Sequence, residues 1–326
     1  MIKYVVKRLL LMIPILMGIC LIVLIFIDIA PGDPARIILG NQATDQEIID
    51  LRNELGLNDP FIIRYFRYLG HAVRGDFGRS YMNNRAVRDE LFTRFRYTLM
   101  ISFFSVLLSV AIGIPLGIYA ATHQYSWKDN AAIILSLICV SMPSFWFALL
   151  IIQLFSIKLN ILPPAGIESW KGWIMPTVSL ALGYTALITR TMRSNMLEVI
   201  RQDYITTARA KGQTESKVLY RHALKNAIIP VVQIVGTIFG GSLGGAMIAE
   251  TIFSVPGLGS YMLSGLTQRD YPVIQGSSLF MSAIFTFVVL LIDIAFAFID
   301  PRIRSQYVKK TNRNRKARET GDEKTA

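Results

Sequence analysis

Long runs of apolar residues, almost free of charge, dominate this sequence and decide what it can fold into. Six stand out: Leu9 to Ile29, Thr98 to Ala121, Ala131 to Ile157, Trp173 to Thr189, Val231 to Ile252 and Ser277 to Ile299. Each is about 17 to 27 residues long, and a helix of about 20 residues crosses a hydrocarbon core about 30 Å thick. A soluble protein would spread its apolar residues as amphipathic stripes instead. Of 326 residues, 52% are hydrophobic and 17% charged, a balance too apolar for an ordinary soluble protein. The reading is an all-α membrane protein with six transmembrane helices. The first block follows Lys3, Lys7 and Arg8 as a signal peptide would. Its apolar stretch exceeds the usual length of about 7 to 15 residues and no small-x-small site follows, so it reads as a retained span.

An even number of spans puts both termini on one side, and the basic residues say which. Arg190, Arg193, Arg201, Arg209, Lys211, Lys217, Arg221 and Lys225 crowd the segment between spans four and five, and the stretch from Arg302 through Arg318 is richer still. The short loops of the other face hold only Lys158, Lys171 and Arg269. The positive-inside rule makes the rich side, and both termini, cytoplasmic. The net charge of +12 is then a topology signal, and nucleic acid is not expected as a partner. The basic tail from 301 to 326 reads as a solvated anchor near anionic lipid. Cys20 and Cys139 lie inside apolar blocks and suggest no disulfide.

The external stretch from Pro31 to Tyr97 carries helical pattern of its own. Thr44 and Glu47 fit a capping box ahead of Ile48, Leu51 and Leu55, with Gly56 and Pro60 as a stop. A second amphipathic run groups Phe61, Tyr65, Phe66, Leu69 and Val73 and ends at Gly75. A third, with Val87, Leu91 and Phe95 in register, leads into span two. A helical cap over the outer ends of the spans and a docking platform for a soluble partner both fit.

The loop from Asp203 to Pro230 is too polar to cross a membrane and too patterned for a linker. It predicts two short helices broken at Gly212, which can adopt a positive φ after the small residues Ala208 and Ala210. Beyond it Val218, His222 and Ala223 recur at helical spacing. Such a knob suits a cleft closing on its backbone; a solvated connector between spans has the same pattern.

Here the sequence resembles the coupling motif of binding-protein-dependent ABC importer permeases, Glu-Ala-Ala, three residues, then Gly, with Ile-x-Leu-Pro some ten residues on. Gly212 and Ala208 match the glycine and second alanine, and Leu224 the leucine. Thr206 and Thr207 replace the glutamate and first alanine, and Asn226 sits one residue beyond the expected proline. TARAKG at this place is similar to the branch that moves dipeptides, oligopeptides and nickel. PGDP (Pro31 to Pro34), GDFGRSY (Gly75 to Tyr81), SMPSFW (Ser141 to Trp146), ETIFSVPGLG (Glu250 to Gly259), RDYPVIQG (Arg269 to Gly276) and DPRIR (Asp300 to Arg304) point the same way.

The resemblance implies a type I importer fold: a first helix over 1–30, an extracytoplasmic helical segment over 31–97, and a five-helix transmembrane domain over 98–300 with its coupling loop at 190–230. It implies a multi-pass subunit of a bacterial or archaeal cytoplasmic membrane. Its partners would be a second homologous permease, two ATP-binding cassette subunits and an extracytoplasmic solute-binding protein. ATP and Mg would be bound by those partners, with no cofactor or ATP-hydrolysing site in this chain. Coupling residues would be Thr206, Thr207, Ala208, Ala210, Lys211, Gly212 and Leu224. Peptides are the expected cargo, with nickel chelates or glutathione as alternatives.

Candidate pathway residues are Gln153, Gln233, Glu250 and Asp293, polar groups within or at the ends of spans. For the glutamines and Glu250 an interhelical hydrogen bond fits equally well. Asp293 could instead be an interfacial carboxylate paired near Arg302. Gly236, Gly240 and Gly244, with Gly241 and Gly245 alongside, form a small-xxx-small pattern for helix packing, with a sliding surface as the alternative. Pro143 marks a kink in span three. His71, His123 and His222 are scattered, so no metal site is expected. An ion-coupled carrier would need matched inverted halves and buried carboxylates, and an intramembrane enzyme a catalytic constellation; neither pattern is evident.

Overall fold

Apolar segments of this length leave the backbone no solvent to bond with, so its amides and carbonyls must pair within helices. The computed structural model describes residues 2–29, 32–40 and 42–299. The basic tail, Arg302 and the 300–304 motif lie outside the described residues. The helices run α1 (Ile2–Ile29), α2 (Pro34–Leu39), α3 (Asp45–Glu54), α4 (Phe61–Val73), α5 (Val87–Thr122), α6 (Trp127–Ser141) and α7 (Ser144–Ile151), which continues as a π-helical stretch, Ile152–Lys158. A short 3-10 turn, Trp170–Trp173, leads into α8 (Ile174–Ile200). Then come α9 (Asp203–Ala210), α10 (Glu215–Lys217), a π-helical turn at Val218–Ala223, α11 (Leu224–Gly245), α12 (Met247–Ile252), α13 (Leu258–Gln268) and α14 (Tyr271–Ile299).

The tightest seam joins α5 to α8. Thr98, Ser102, Ser105, Ser109, Gly113 and Gly117 form a buried stripe of small residues along α5. Such a stripe lets two backbones approach closely. Ser105 Oγ donates to the Thr177 carbonyl at 3.0 Å and Ser109 Oγ to the Ala181 carbonyl at 2.9 Å, both across 72 residues. The constant offset means that α5 and α8 run parallel. A Cβ at Gly117 would stand 2.5 Å from Met192 Cβ and 2.7 Å from the Thr189 carbonyl oxygen, so only glycine fits.

Parallel neighbours require the chain to return between them, and α6 and α7 do this as one broken span. Asp129 at the start of α6 pairs with Arg193 near the end of α8, Nη2 to Oδ2 at 2.7 Å. Ile151 and Phe155 pack beside Met175 at the start of α8. The two halves bend by 102° at Met142–Pro143, far more than the kink the sequence suggests. Among the described residues, five unbroken helices and this bent pair give six crossings. Antiparallel contacts set the rest: Arg8 meets Asp293 at 3.0 Å, Ile27 clusters with Tyr271 and Ile274, and Gly236 and Gly240 lie against Ile292 and Phe285 of α14. The start of α1, the end of α14 and the α9–α10 elbow thus share one side.

Several span limits need correction. The fourth helix runs on to Ile200, carrying Arg190 and Arg193, because Asp129 receives Arg193. The fifth starts at Leu224 and stops at Gly245, leaving Glu250 on the separate helix α12. The second and sixth begin earlier, at Val87 and Tyr271. On the side opposite the elbow, Thr44 and Glu47 do form a capping box. Ser80 Oγ and the Tyr81 amide donate to Asp270, and Gly78 approaches Pro272. Motifs almost 200 residues apart, GDFGRSY and RDYPVIQG, therefore close on each other.

Replacing Gly117 by Ala forces backbone against backbone, and overpacking of this kind costs about 1–3 kcal/mol. Gly241→Ala, whose Cβ meets nothing within 4 Å, is expected to hold or raise stability. Thermal unfolding of the full chain in detergent should show a lowered transition for the first variant alone.

Candidate functional site

The elbow is built from α9, the turn at Gly212 and the start of the segment leading into α11. Ile205 and Val218 are fully buried, and with Ala208 and Ala223 they join Met192 and Met196 of α8 and Ile118 of α5 in one core. The polar remainder has nowhere to go but outward. Alternating burial along a short helix thus seats the elbow on the ends of two spans.

Its turn is a Schellman motif: the Gly212 amide donates to Arg209 O at 2.9 Å and the Gln213 amide to Ala208 O at 3.4 Å. Gly212 sits at φ +72°, where a side chain is strained. Arg209 reaches across this turn to Glu215 through two bonds of 3.0 and 2.7 Å. That hydrogen-bonded carboxylate holds the Arg209 guanidinium above its ordinary pKa. His222 and Gln213 meet at 2.8 Å, and Asn226 Nδ2 donates to Tyr204 Oη at 2.8 Å. The elbow is stapled on both flanks.

Of the seven coupling candidates, Thr206, Thr207, Ala210, Lys211 and Gly212 are exposed together. Ala208 is buried at 7% exposure and Leu224 packs against the same core, so these two support the elbow from behind and are not part of its free surface. Sequence reasoning missed the Arg209–Glu215 staple, although the opposite charges flanking the glycine were a usable signal.

The four pathway candidates do not come together. Glu250, for which a wet cavity and an interhelical hydrogen bond fit the sequence equally well, takes the second role and has 0% exposure. Its Oε1 accepts from Thr98 Oγ1 and its Oε2 from the Ser260 amide at 2.9 Å, at the N-terminus of α13, where a carboxylate is favoured. Thr98 Oγ1 in turn accepts from the Leu258 amide at 2.8 Å. Glu250 is thus a structural anchor, needed because the VPGLG turn buries backbone donors. Asp293 is tied to Arg8 of α1, the interfacial pairing with a different partner from the one expected. Gln153 and Gln233 are exposed. Gln233 lies on one stripe of α11 with Thr237, Gly241 and Gly244, all left uncovered by the described residues.

Comparison with known proteins agrees with this architecture. Residues 113–305 match the model of the binding-protein-dependent transport system inner membrane component, and residues 1–102 the model of the N-terminal part of such membrane components. The glutathione transport system permease protein GsiC of Salmonella paratyphi A (strain ATCC 9150 / SARB42) is 40% identical over 304 residues, 93% of this chain and 99% of that protein. GsiC of Escherichia coli (strain K12) shows the same identity and coverage. Among solved structures, the inward-facing MetNI methionine ABC transporter in its CY5 SeMet soak crystal form aligns with a TM-score of 0.56 at 17% identity, over 65% of this chain and 96% of that one. That last likeness is one of fold. This chain belongs to the binding-protein-dependent transport system inner membrane components, the permeases of ABC importers.

Proposed function

We propose that this chain forms half of the pathway of an ATP-driven importer for short peptides, and that the elbow takes up the stroke of separate ATPase subunits. The observation that carries this reading is the elbow itself: five exposed residues around a left-handed glycine, on an element whose other face is core. A push on such a rigidly seated surface moves α5, α8 and α11 together. Reversing a two-state preference from 1:99 to 99:1 takes about 5.5 kcal/mol, a load that nucleotide-driven closure of partner subunits can supply. ATP and Mg would be held by those two cassette subunits.

The elbow side carries the Lys- and Arg-rich segments, which makes it, and both termini, cytoplasmic in a prokaryotic cytoplasmic membrane. The opposite side then meets the solute-binding protein. At bilayer depth an uncovered polar stripe such as that of Gln233 and Thr237 needs protein or water beside it, which fits a pathway shared with a second, similar permease. An ion-coupled carrier needs free buried carboxylates, and the two pathway candidates are already engaged, Asp293 by Arg8 and Glu250 by Thr98 and the Ser260 amide. Relatives 40% identical over nearly their whole length are glutathione permeases. Glutathione is a tripeptide, so it is the first cargo to test within the peptide class.

Gly212→Trp in the complete transporter is expected to lower both uptake and binding-protein-stimulated ATPase activity by about tenfold or more, the effect of losing roughly 1.4 kcal/mol of coupling. Membrane levels should not change, and survival of both activities would show that the elbow does not couple. For the cargo, glutathione at about a hundred times its Kd should add about 2.7 kcal/mol to the stability of the cognate binding protein. A thermal shift with a nickel chelate and none with glutathione or short peptides would reassign the cargo.

A further inference from the structure

Helix α4 has two faces with different fates. Phe61, Tyr65, Tyr68 and Leu69 pack on Cys20 and Leu24 of α1, and Tyr65 Oη donates to the Met17 carbonyl at 3.0 Å. On the other side Ile62, Ile63, Phe66 and Val73 are 64, 49, 60 and 88% exposed. The contacts on α1 fix how deep this helix lies. At 1.5 Å per residue, Leu24 and Cys20 are about 8 and 14 Å below the end of α1 at Ile29. That is well within the candidate span Arg8–Ile29, whose Ile22 and Phe26 are exposed on the face turned away from α4, so the bare stripe of α4 lies at the level of the lipid-facing part of α1.

Behind α4, between α1 and the start of α14, lies a cavity of about 290 Å³. Arg64, Arg67, Tyr68 and Asp76 line it together with the apolar Leu24 and Ile27. Arg64 Nη2 is paired with Asp28, yet its Nε is buried without a partner among the described residues, and so is Tyr68 Oη. Leaving buried donors unpaired is costly, so each calls for an acceptor. Two such donors beside a second guanidinium suit a phosphodiester oxygen. Because Arg64 pairs with Asp28 and Arg67 with Asp59, the wall carries little net charge, and Asp76, exposed beside His71 and the Gly78 amide that it accepts from, offers a carboxylate to an ammonium group. The chemistry is zwitterionic at one end and apolar at the other.

We infer that α4 is embedded in the leaflet on the side of the 31–97 segment, and that the α1–α4–α14 cavity holds the headgroup of a zwitterionic glycerophospholipid. Which leaflet this is in the cell rests on the orientation proposed above. The readouts below need neither transport nor a given side, so failure of either reading is seen separately.

The test uses the full chain in nanodiscs of phosphatidylethanolamine and phosphatidylglycerol. A tryptophan at position 66, Phe66→Trp read against the unsubstituted chain, is expected to be quenched by brominated acyl chains and shielded from aqueous acrylamide. Access to acrylamide, or shielding from both quenchers by a covering protein, overturns the embedding. Native mass spectrometry of the full chain, delipidated and then reloaded with phosphatidylethanolamine or diacylglycerol, reads the cavity. Phosphatidylethanolamine is expected to be retained, diacylglycerol lost, and inorganic phosphate unable to displace the lipid. Tyr68→Phe should weaken retention about tenfold, the loss of one hydrogen bond to a charged group, with the unfolding temperature unchanged or raised. If that variant fails to fold, Arg67→Gln, at an exposed side chain, is read the same way. Undiminished retention in the variant, equal retention of diacylglycerol, or displacement by phosphate overturns the headgroup site.

Discussion

Everything in this molecule is referenced to the parallel seam between α5 and α8. Two helices that run the same way cannot be joined directly, so the seam dictates a returning span between them and the bent pair supplies it. Because α5 presents serine and glycine where most helices present leucine, the backbones lie close enough for side-chain hydroxyls to bond carbonyls on the neighbour. Lipid offers no hydrophobic drive for helices to associate, so contact of this intimacy is what holds them. The elbow core then grows from the same two helices, with Met192, Met196 and Ile118 receiving Ile205 and Val218.

The proposed coupling relies on this continuity, because a contact on the elbow would bear directly on the spans. The elbow is no flexible loop: its apolar residues are part of the core that ends α5 and α8, and its polar turn is closed by the Schellman bonds and the Arg209–Glu215 pair. A load on the exposed face has no soft element in which to dissipate. On the far side, Glu250 performs the matching task by gathering α5, α12 and α13 around a single carboxylate.

What could be read from residues alone divides by range. The existence of six crossings, the capping box at Thr44 and the break at Gly212 are local matters, set by hydropathy, side-chain capping and backbone freedom within a few residues. Helix ends were less legible, because α8 extends through Arg193 only where Asp129, 64 residues away, neutralises it. Glu250 was legible only as a choice between a wet cavity and an interhelical bond for the same reason: its partners lie on α5 and α13, and nothing near it in sequence announces them. The glycine pattern of span five reads correctly as packing, since Gly236 and Gly240 meet α14, whereas Gly113 and Gly117 carry the same four-residue spacing where α5 meets α8 and stand out less in the sequence.

The sharp corner at Met142–Pro143 has a consequence for the surroundings of the chain. Helix α6 is about 22 Å long at 1.5 Å per residue, so it ends well short of the far boundary, and Val140 and Phe145 flank the corner exposed. Where a helix stops, its last carbonyls lose the amides that would have followed. Hydrocarbon cannot solvate them, so a corner at this depth marks a station of the bilayer that must be wet or walled by another polypeptide.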